Sequence, residues 1–114
     1  VICGSMETDG EEINVFARKF MGRGCKNVTT PNCAPFLLPK NAVEKLTNMA
    51  YFYKKIRMSD DVIVCSQGHI SLETACELGY AMALGKKITF THEIEVGIVK
   101  AMLDGGMADV LGEE

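Results

Sequence analysis

Glu77 is the residue whose type and placement most directly indicate chemistry. It stands in the run Glu77-Leu78-Gly79-Tyr80-Ala81, inside a segment whose spacing predicts a helix. A carboxylate can attack an anomeric carbon or stabilise an oxocarbenium-like centre, and the nearby helix N-terminus favours its ionised form. The alternative role is that of a solvated helix glutamate, which Glu73, one turn earlier, fits better. Spacing alone leaves both roles open for Glu77.

Two short polar segments, each following an apolar run, are candidates for substrate binding. The first follows Val1-Ile2-Cys3 and the second follows Val62-Ile63-Val64-Cys65. Glycine permits close backbone approach, and amides at helix starts favour an anion such as phosphate. A purely steric role in the turns, and helix capping by Ser71, are the structural alternatives. The candidate substrate-binding residues are Gly4, Ser5, Met6, Ser66, Gly68, His69 and Ser71.

Metal and aromatic chemistry have weaker support in the sequence. The five cysteines include no C-x-x-C pair and, like Asp60-Asp61, lack metal-ligand spacing, so we expect reduced thiols, no metal and no cofactor. His92 has no obvious partner. Tyr51 and Tyr53 either cover a base or ribose or pack in the core, and helical aromatic residues more often do the latter.

The elements that must position these residues alternate between strand and helix. Short apolar and β-branched runs predict strands at 1–3, 28–30, 62–65 and 88–91. Helical spacing predicts helices between and after them, with Asp9 capping the first, 41–58 forming the second and Ser71 capping the third. This order predicts an α/β fold, a three-layer Rossmann-like (flavodoxin-like) parallel sheet of four to five strands flanked by helices. We expect one domain over residues 1–114.

In such an open sheet, ligands collect at the carboxyl ends of the strands, around a switch point. The segments after the first and third predicted strands, some sixty residues apart, are therefore expected to face one crevice.

Composition disfavours several classes of function. Hydrophobic residues make up 47% of the chain and charged residues 24%, which is typical of a globular domain. A net charge of −3 without a dense Lys/Arg run argues against nucleic acid and anionic membranes as partners. No apolar run approaches the roughly 20 residues that span a bilayer, and no signal-peptide pattern is evident, so a cytoplasmic location is expected.

Two segments of the chain resemble a known family. The run Ser71-Leu72-Glu73-Thr74-Ala75-Cys76-Glu77-Leu78-Gly79-Tyr80-Ala81, with Leu84-Gly85-Lys86-Lys87-Ile88 after it, resembles the signature of the nucleoside 2-deoxyribosyltransferase superfamily. The opening Ile2-Cys3-Gly4-Ser5-Met6 is similar to the C-G-S-I turn of the deoxynucleoside 5′-monophosphate N-glycosidases, a branch of that superfamily. Ser71 stands six positions before Glu77, like the phosphate-contacting serine of that branch.

The resemblance implies an enzyme that cleaves the N-glycosidic bond of 2′-deoxynucleosides or their 5′-monophosphates, by hydrolysis or by base transfer. Glu77 would be the nucleophile or the group that stabilises the anomeric carbon. The implied partner is a small-molecule nucleoside or nucleotide, and the implied assembly is a homo-oligomer, a dimer or larger.

The chain departs from the family's pattern at one position. Relatives often carry an Asp in the helix before the third predicted strand, where it assists proton transfer to the base, but here the stretch reads Tyr51-Phe52-Tyr53-Lys54. The alternatives are that Glu7, Asp9 or His69 takes that role, or that the protein is a slow enzyme or a nucleotide-binding or sensor domain. A phosphoribohydrolase of the cytokinin-activating type ranks last, because its P-G-G-x-G-T loop is absent.

Overall fold

The computed structural model describes residues 1–4, 6–22, 28–36, 38–66, 70–94 and 96–111, without the side chains of residues 6–9 and 32. Over these ranges strands and helices alternate. The strands are β1 (Ile2–Cys3), β2 (Asp61–Val64), β3 (Lys87–Phe90) and β4 (Ala108–Val110). The helices are α1 (Met6–Gly22), α2 (Ala42–Met58), α3 (Leu72–Ala83) and α4 (Gly97–Asp104), with a short 3₁₀ helix at Pro31–Cys33.

The four strands form one parallel sheet in the order β1-β2-β3-β4. Parallel neighbours need crossover connections, which the helices supply. The buried side chains fall into two clusters because successive strand residues point to opposite faces. On one face Ile13 of α1 packs with Ile2, Ile63 and Cys65. On the other face, residues of α2, α3 and α4 pack with Val62, Val64 and Phe90. The predicted three-layer Rossmann-like α/β architecture is confirmed.

The predicted strand over 28–30 is wrong as a regular strand. The segment makes one backbone hydrogen bond to β1, from Ile2 N to Thr29 O at 2.8 Å. Pro31 follows at once and has no N–H to extend a ladder, which is a physical reason why the pairing stops. The carbonyl oxygens of Val1 and Cys3 accept hydrogen bonds from Ile63 N of β2 and from Cys65 N just after it. The backbone of Ile2, which lies between them, therefore bonds at the other edge of β1. Segment 28–30 thus lies beside β1, where a flavodoxin-like sheet places its second strand.

The helix starts are only partly as predicted. Ser71 caps α3 as expected, its side chain accepting from Thr74 N at 3.2 Å. Asn41 caps α2 in the same way, accepting from Glu44 N at 2.9 Å. Asp9 is not the cap of α1, because that helix begins three residues earlier, at Met6.

Gly4 lies where the chain leaving β1 comes very close to the chain leaving β2. A Cβ atom at position 4 would lie 2.4 Å from the carbonyl oxygen of Cys65 and 3.0 Å from Cδ1 of Ile13. Real Cβ atoms do not approach a backbone oxygen so closely, so any larger residue forces the backbone to move. The fold itself therefore requires glycine at position 4, apart from any role in binding.

Gly4→Ala should lower the free energy of unfolding by about 1–3 kcal/mol, because the added methyl group overpacks the Gly4–Cys65 contact. Gly79→Ala is the matched control. Position 79 lies inside α3 and a Cβ there meets no atom within 4 Å, so alanine should stabilise the protein by up to about 1 kcal/mol. Urea unfolding of both variants measures the two effects. A Gly4→Ala protein as stable as the wild type would contradict the steric account.

Candidate functional site

The carboxyl ends of β1 and β2 form the switch point of the sheet. Segment 28–30 lies on one side of β1, and β2 lies on the other. The connection that leaves β1 and the connection that leaves β2 therefore run in opposite directions along the sheet. Cys3 pairs with Val64, and Cys65 N donates to Cys3 O at 2.8 Å, so the two strands end at the same level. The expected meeting of the first and third predicted strands at one edge is therefore observed.

Glu77 reaches this edge from α3. It is the sixth residue of the helix and is half-buried, and Cys3 is among the groups that affect the pKa of its carboxyl group. Cys3 is the last residue of β1 and is 1% exposed. The candidate catalytic carboxyl group is therefore influenced by the end of the strand beside the switch point.

Burial raises the pKa of Glu77 from 4.5 to about 7. The hydrogen bond from Cys3 opposes this by lowering the pKa, and the negative charge of Glu73 raises it. The helix N-terminus is expected to favour the ionised form of Glu77, but burial outweighs that effect and raises the pKa. Glu77 lies beyond the first turn of α3, where the influence of the helix dipole fades, and the loss of water dominates. About half of the Glu77 side chains are ionised at neutral pH.

The thiol of Cys3 keeps its proton at neutral pH. Burial raises its pKa well above the ordinary value, the negative charge of Glu77 and the hydrogen bond to it act in the same direction, and the N-terminal amino group opposes them. The proton of Cys3 therefore stays on sulfur at neutral pH, whereas Glu77 gains or loses its proton in that range.

Tyr53, for which the sequence left open a contact with base or ribose and packing in the core, is a neighbour of Glu77. Its ring packs against Tyr80 at a centroid distance of 4.9 Å, and both rings adjoin the core. Partial burial raises the pKa of Tyr53, as do its hydrogen-bonding neighbour Cys76 and the charge of Glu77. Tyr53 thus packs in the core and also lies beside the site. Tyr51 instead packs edge-on against Phe52. The signal in the sequence for the packing of Tyr53 was its helical spacing on α2.

The two described serines of the site are engaged within the protein. Ser71 Oγ lies 2.9 Å from Thr74 Oγ1, to which its hydroxyl donates, and it also accepts from Thr74 N. This is the capping role that the sequence allowed. Ser66 follows β2 and is 3% exposed. A substrate contact by either hydroxyl stays a prediction, as it does for Gly4.

The other predicted substrate-binding residues lie at the edge of what the structure describes. Ser5, Gly68 and His69 are outside the described residues, and of Met6 only the backbone, at the first position of α1, is described. Their roles remain predictions from the sequence.

His92 has a partner that the sequence did not reveal. Its Nε2 lies 2.9 Å from Oε1 of Glu12 on α1, and its Nδ1 lies 2.8 Å from the hydroxyl of Thr91. These contacts tie the end of β3 to α1. Residues 12 and 92 are far apart in sequence, so no local pattern could have predicted the pair.

Comparisons with known proteins add no family. No family model matches the chain, and no curated protein matches it. The resemblance to the deoxyribosyltransferase superfamily stays a prediction.

In the described part of the chain, no three metal-ligating side chains come together, and none of the helices is long and apolar enough to cross a bilayer.

Glu77→Gln should change how stability depends on pH. The native carboxyl group holds its proton up to pH 7 but the unfolded one only to about 4.5, so its stabilising effect is full below pH 4.5 and is lost as the pH rises through 7. Glutamine never ionises. Relative to the wild type, the variant should therefore gain up to about 3 kcal/mol between pH 4.5 and pH 8.

Thermal unfolding of the two proteins at pH 5 and pH 8.5 measures this difference. Glu73→Gln, which removes an exposed carboxylate one turn earlier on α3, is the control and should keep most of the wild-type pH dependence. A stability difference between Glu77→Gln and wild type that is the same at both pH values would contradict a raised pKa at Glu77.

Proposed function

We propose that the chain cleaves the N-glycosidic bond of 2′-deoxynucleosides or their 5′-monophosphates, with Glu77 as the nucleophile. The observation that carries the proposal is a half-buried carboxyl group on α3, whose burial raises its pKa to about 7 and whose pKa is affected by Cys3 at the end of β1, beside the switch point of a parallel sheet. A surface glutamate with a structural role needs neither this burial nor this location. The resemblance of residues 71–88 and 2–6 adds the substrate class.

In the proposed reaction, an ionised oxygen of Glu77 attacks C1′ of the sugar. The bond between C1′ and the base nitrogen breaks, its electron pair leaves with the base, and the base takes up a proton. Water or the nitrogen of a second base then attacks C1′, loses a proton, and releases the carboxylate of Glu77. The candidate donors to the leaving base are Glu7, Asp9 and His69, whose side chains the structure does not describe.

A phosphorylated substrate is favoured over a free nucleoside by the Cys3-Gly4-Ser5-Met6 turn and by Ser71. A hydroxyl group has a single proton to donate, and the proton of Ser71 already goes to Thr74 Oγ1. Contact with a phosphate therefore requires this hydroxyl to rotate away from Thr74, while its oxygen can go on accepting from Thr74 N.

The second candidate function is a nucleotide-binding or sensor domain with little turnover. Two observations favour it. About half of the Glu77 side chains are neutral at pH 7 and cannot attack, and the stretch of α2 where relatives place their proton-transfer residue reads Tyr51-Phe52-Tyr53-Lys54, without a carboxylate. The two functions differ in whether product forms.

Base release is the test. The purified protein is incubated with a panel of deoxynucleoside 5′-monophosphates and free deoxynucleosides, with and without an acceptor base, and products are separated by chromatography. We expect release of free base from the monophosphates. Glu77→Gln should lower the rate at least about 1,000-fold, because the nucleophile is lost. Glu73→Gln, the control on the same helix, should keep most of it.

Two outcomes would contradict the proposal. Base release that survives in Glu77→Gln would remove Glu77 from the reaction. No release by the wild type, together with nucleotide binding in calorimetry, would favour the binding or sensor function instead.

A further inference from the structure

The turn Leu84-Gly85-Lys86 ends α3 in a defined way. Gly85 N donates to Met82 O at 3.0 Å, and Lys86 N donates to Ala81 O at 3.1 Å. This is the hydrogen-bond pattern of a Schellman turn, which needs a left-handed residue, and Gly85 supplies it with a φ of +68°. The turn therefore fixes the point at which Lys86 leaves the helix.

The side chain of Lys86 joins this turn to the end of α2. Its Nζ donates to Arg57 O at 2.9 Å and to Ser59 O at 2.7 Å. The last carbonyl groups of a helix lack partners within the helix and carry partial negative charge, so an ammonium group is favourable there. The next lysine, Lys87, is exposed at the start of β3. Of these two adjacent lysines, Lys86 is the one that holds α2.

The helices α2 and α3 lie side by side along much of their length. Near their starts, Nζ of Lys45 on α2 lies 3.9 Å from Oε1 of Glu73 on α3. About two turns further along α2, the ring of Tyr53 packs against that of Tyr80 on α3 at a centroid distance of 4.9 Å. Glu77 lies on α3 between these two contacts, so it is level with the part of α2 between Lys45 and Tyr53.

This arrangement makes α2 one side of the Glu77 site. Glu77 is half-buried, and the loss of water is the main cause of its raised pKa. Water is kept from this side of the carboxyl group only while α2 lies against α3. A movement of α2 away from α3 would therefore let water reach Glu77.

We propose that Lys86 is a positioning residue for the Glu77 site: by binding the last carbonyl groups of α2, it holds that helix against α3 and keeps water from the carboxyl group. The effect of Lys86 on the titration of Glu77 does not depend on the proposed function. Its effect on turnover rests on that function.

The charged and titratable neighbours of Glu77 act on it by another route. Cys3 of β1 lowers its pKa, Glu73 of α3 raises it, and Tyr53 of α2 is itself affected by the charge of Glu77. Among the described residues, Lys86 is not one of the groups that shift the pKa of Glu77 directly. Removal of a positive charge could only raise this pKa, whereas entry of water lowers it. The two routes therefore predict opposite signs.

The direct test is the titration of Glu77 in the intact protein, followed by ¹³C NMR of labelled glutamate carboxyl groups and assigned through Glu77→Gln. Lys86→Met keeps most of the apolar stem and loses the ammonium group, so the midpoint should fall by about 0.5–1 pH unit. Lys86→Arg keeps charge and donors and should restore the wild-type midpoint. Lys87→Met, which removes the same charge from the adjacent exposed position, should leave the midpoint unchanged.

A second control separates the position of α2 from general loss of stability. Lys86→Met should lower the melting temperature, because two hydrogen bonds are lost. Val99→Ala removes buried methyl groups from α4 and should lower it as well, but without a shift in the midpoint of Glu77. Hydrogen exchange of the amides in the last turn of α2 should be faster in Lys86→Met than in Val99→Ala.

Three results would overturn the inference: a midpoint that is unchanged or raised in Lys86→Met, an equal fall in Val99→Ala, or a wild-type midpoint near 4.5, which would mean that water is not excluded from Glu77. If Lys86→Met does not fold, Lys86→Gln, with a shorter polar side chain, decides by the same criterion.

The failure of the proposed function is a separate result. A wild-type protein that releases no base defeats that function, yet a lowered midpoint in Lys86→Met still supports the role of Lys86. Where base is released, the pH at which kcat reaches half of its plateau should fall in Lys86→Met together with the midpoint of Glu77. A pH profile of kcat that stays in place while the midpoint falls would remove the link to turnover.

Discussion

The pairing of β1 with β2 is the contact on which the site depends. β1 is only two residues long, and its place in the sheet comes from parallel hydrogen bonds to β2 on one edge and a single bond to Thr29 on the other. The hydrogen bond from Cys65 N to Cys3 O brings the departing chains together, and only glycine fits at position 4. Because β1 is held in this way, the thiol of Cys3 is presented to α3.

The second constraint is the removal of Glu77 from water. Two effects compete at a carboxyl group in a helix near a strand edge: the helix dipole favours the ionised form, and burial favours the neutral one. In the second turn of α3 burial dominates, and the effect of Cys3, which lowers the pKa, compensates only in part. The result is a group that titrates at neutral pH. Such a group is basic enough to attack or to take a proton, and is not so acidic that it becomes inert.

Much of the fold could be predicted from the sequence, for reasons visible in particular elements. The β-branched run 62–65, the helical spacing over 41–58 and the cap Ser71 predicted β2, α2 and α3 to within a residue or two, because long periodic segments and capping residues are local signals. Segment 28–30 has the composition of a strand, but whether it forms a regular strand depends on its pairing with β1. That pairing is one hydrogen bond, from Ile2 N to Thr29 O, before Pro31 follows. The three-residue β4 follows Gly105-Gly106, and no pattern predicted it as a strand.

The site was predictable in its location but not in its electrostatics. Glu77 and the strand ends followed from the alternation of elements and from the switch-point rule. The raised pKa depends on what surrounds Glu77 in three dimensions, and the pairing of Glu12 with His92 joins distant parts of the chain. Cys3 stood out in the sequence only as part of the turn at residues 2–6, and nothing linked it to Glu77, because a buried thiol is usually a packing residue.

The most direct test of the account is covalent trapping of Glu77. A deoxynucleotide analogue with fluorine at the 2′ position destabilises the oxocarbenium-like centre, so a glycosyl–enzyme intermediate should accumulate. Intact-protein mass spectrometry followed by peptide mapping should show one fluorinated sugar attached to the peptide that contains Glu77, and none in Glu77→Gln. Release of base from ordinary substrates with no adduct, or an adduct on another residue, would contradict a nucleophilic Glu77.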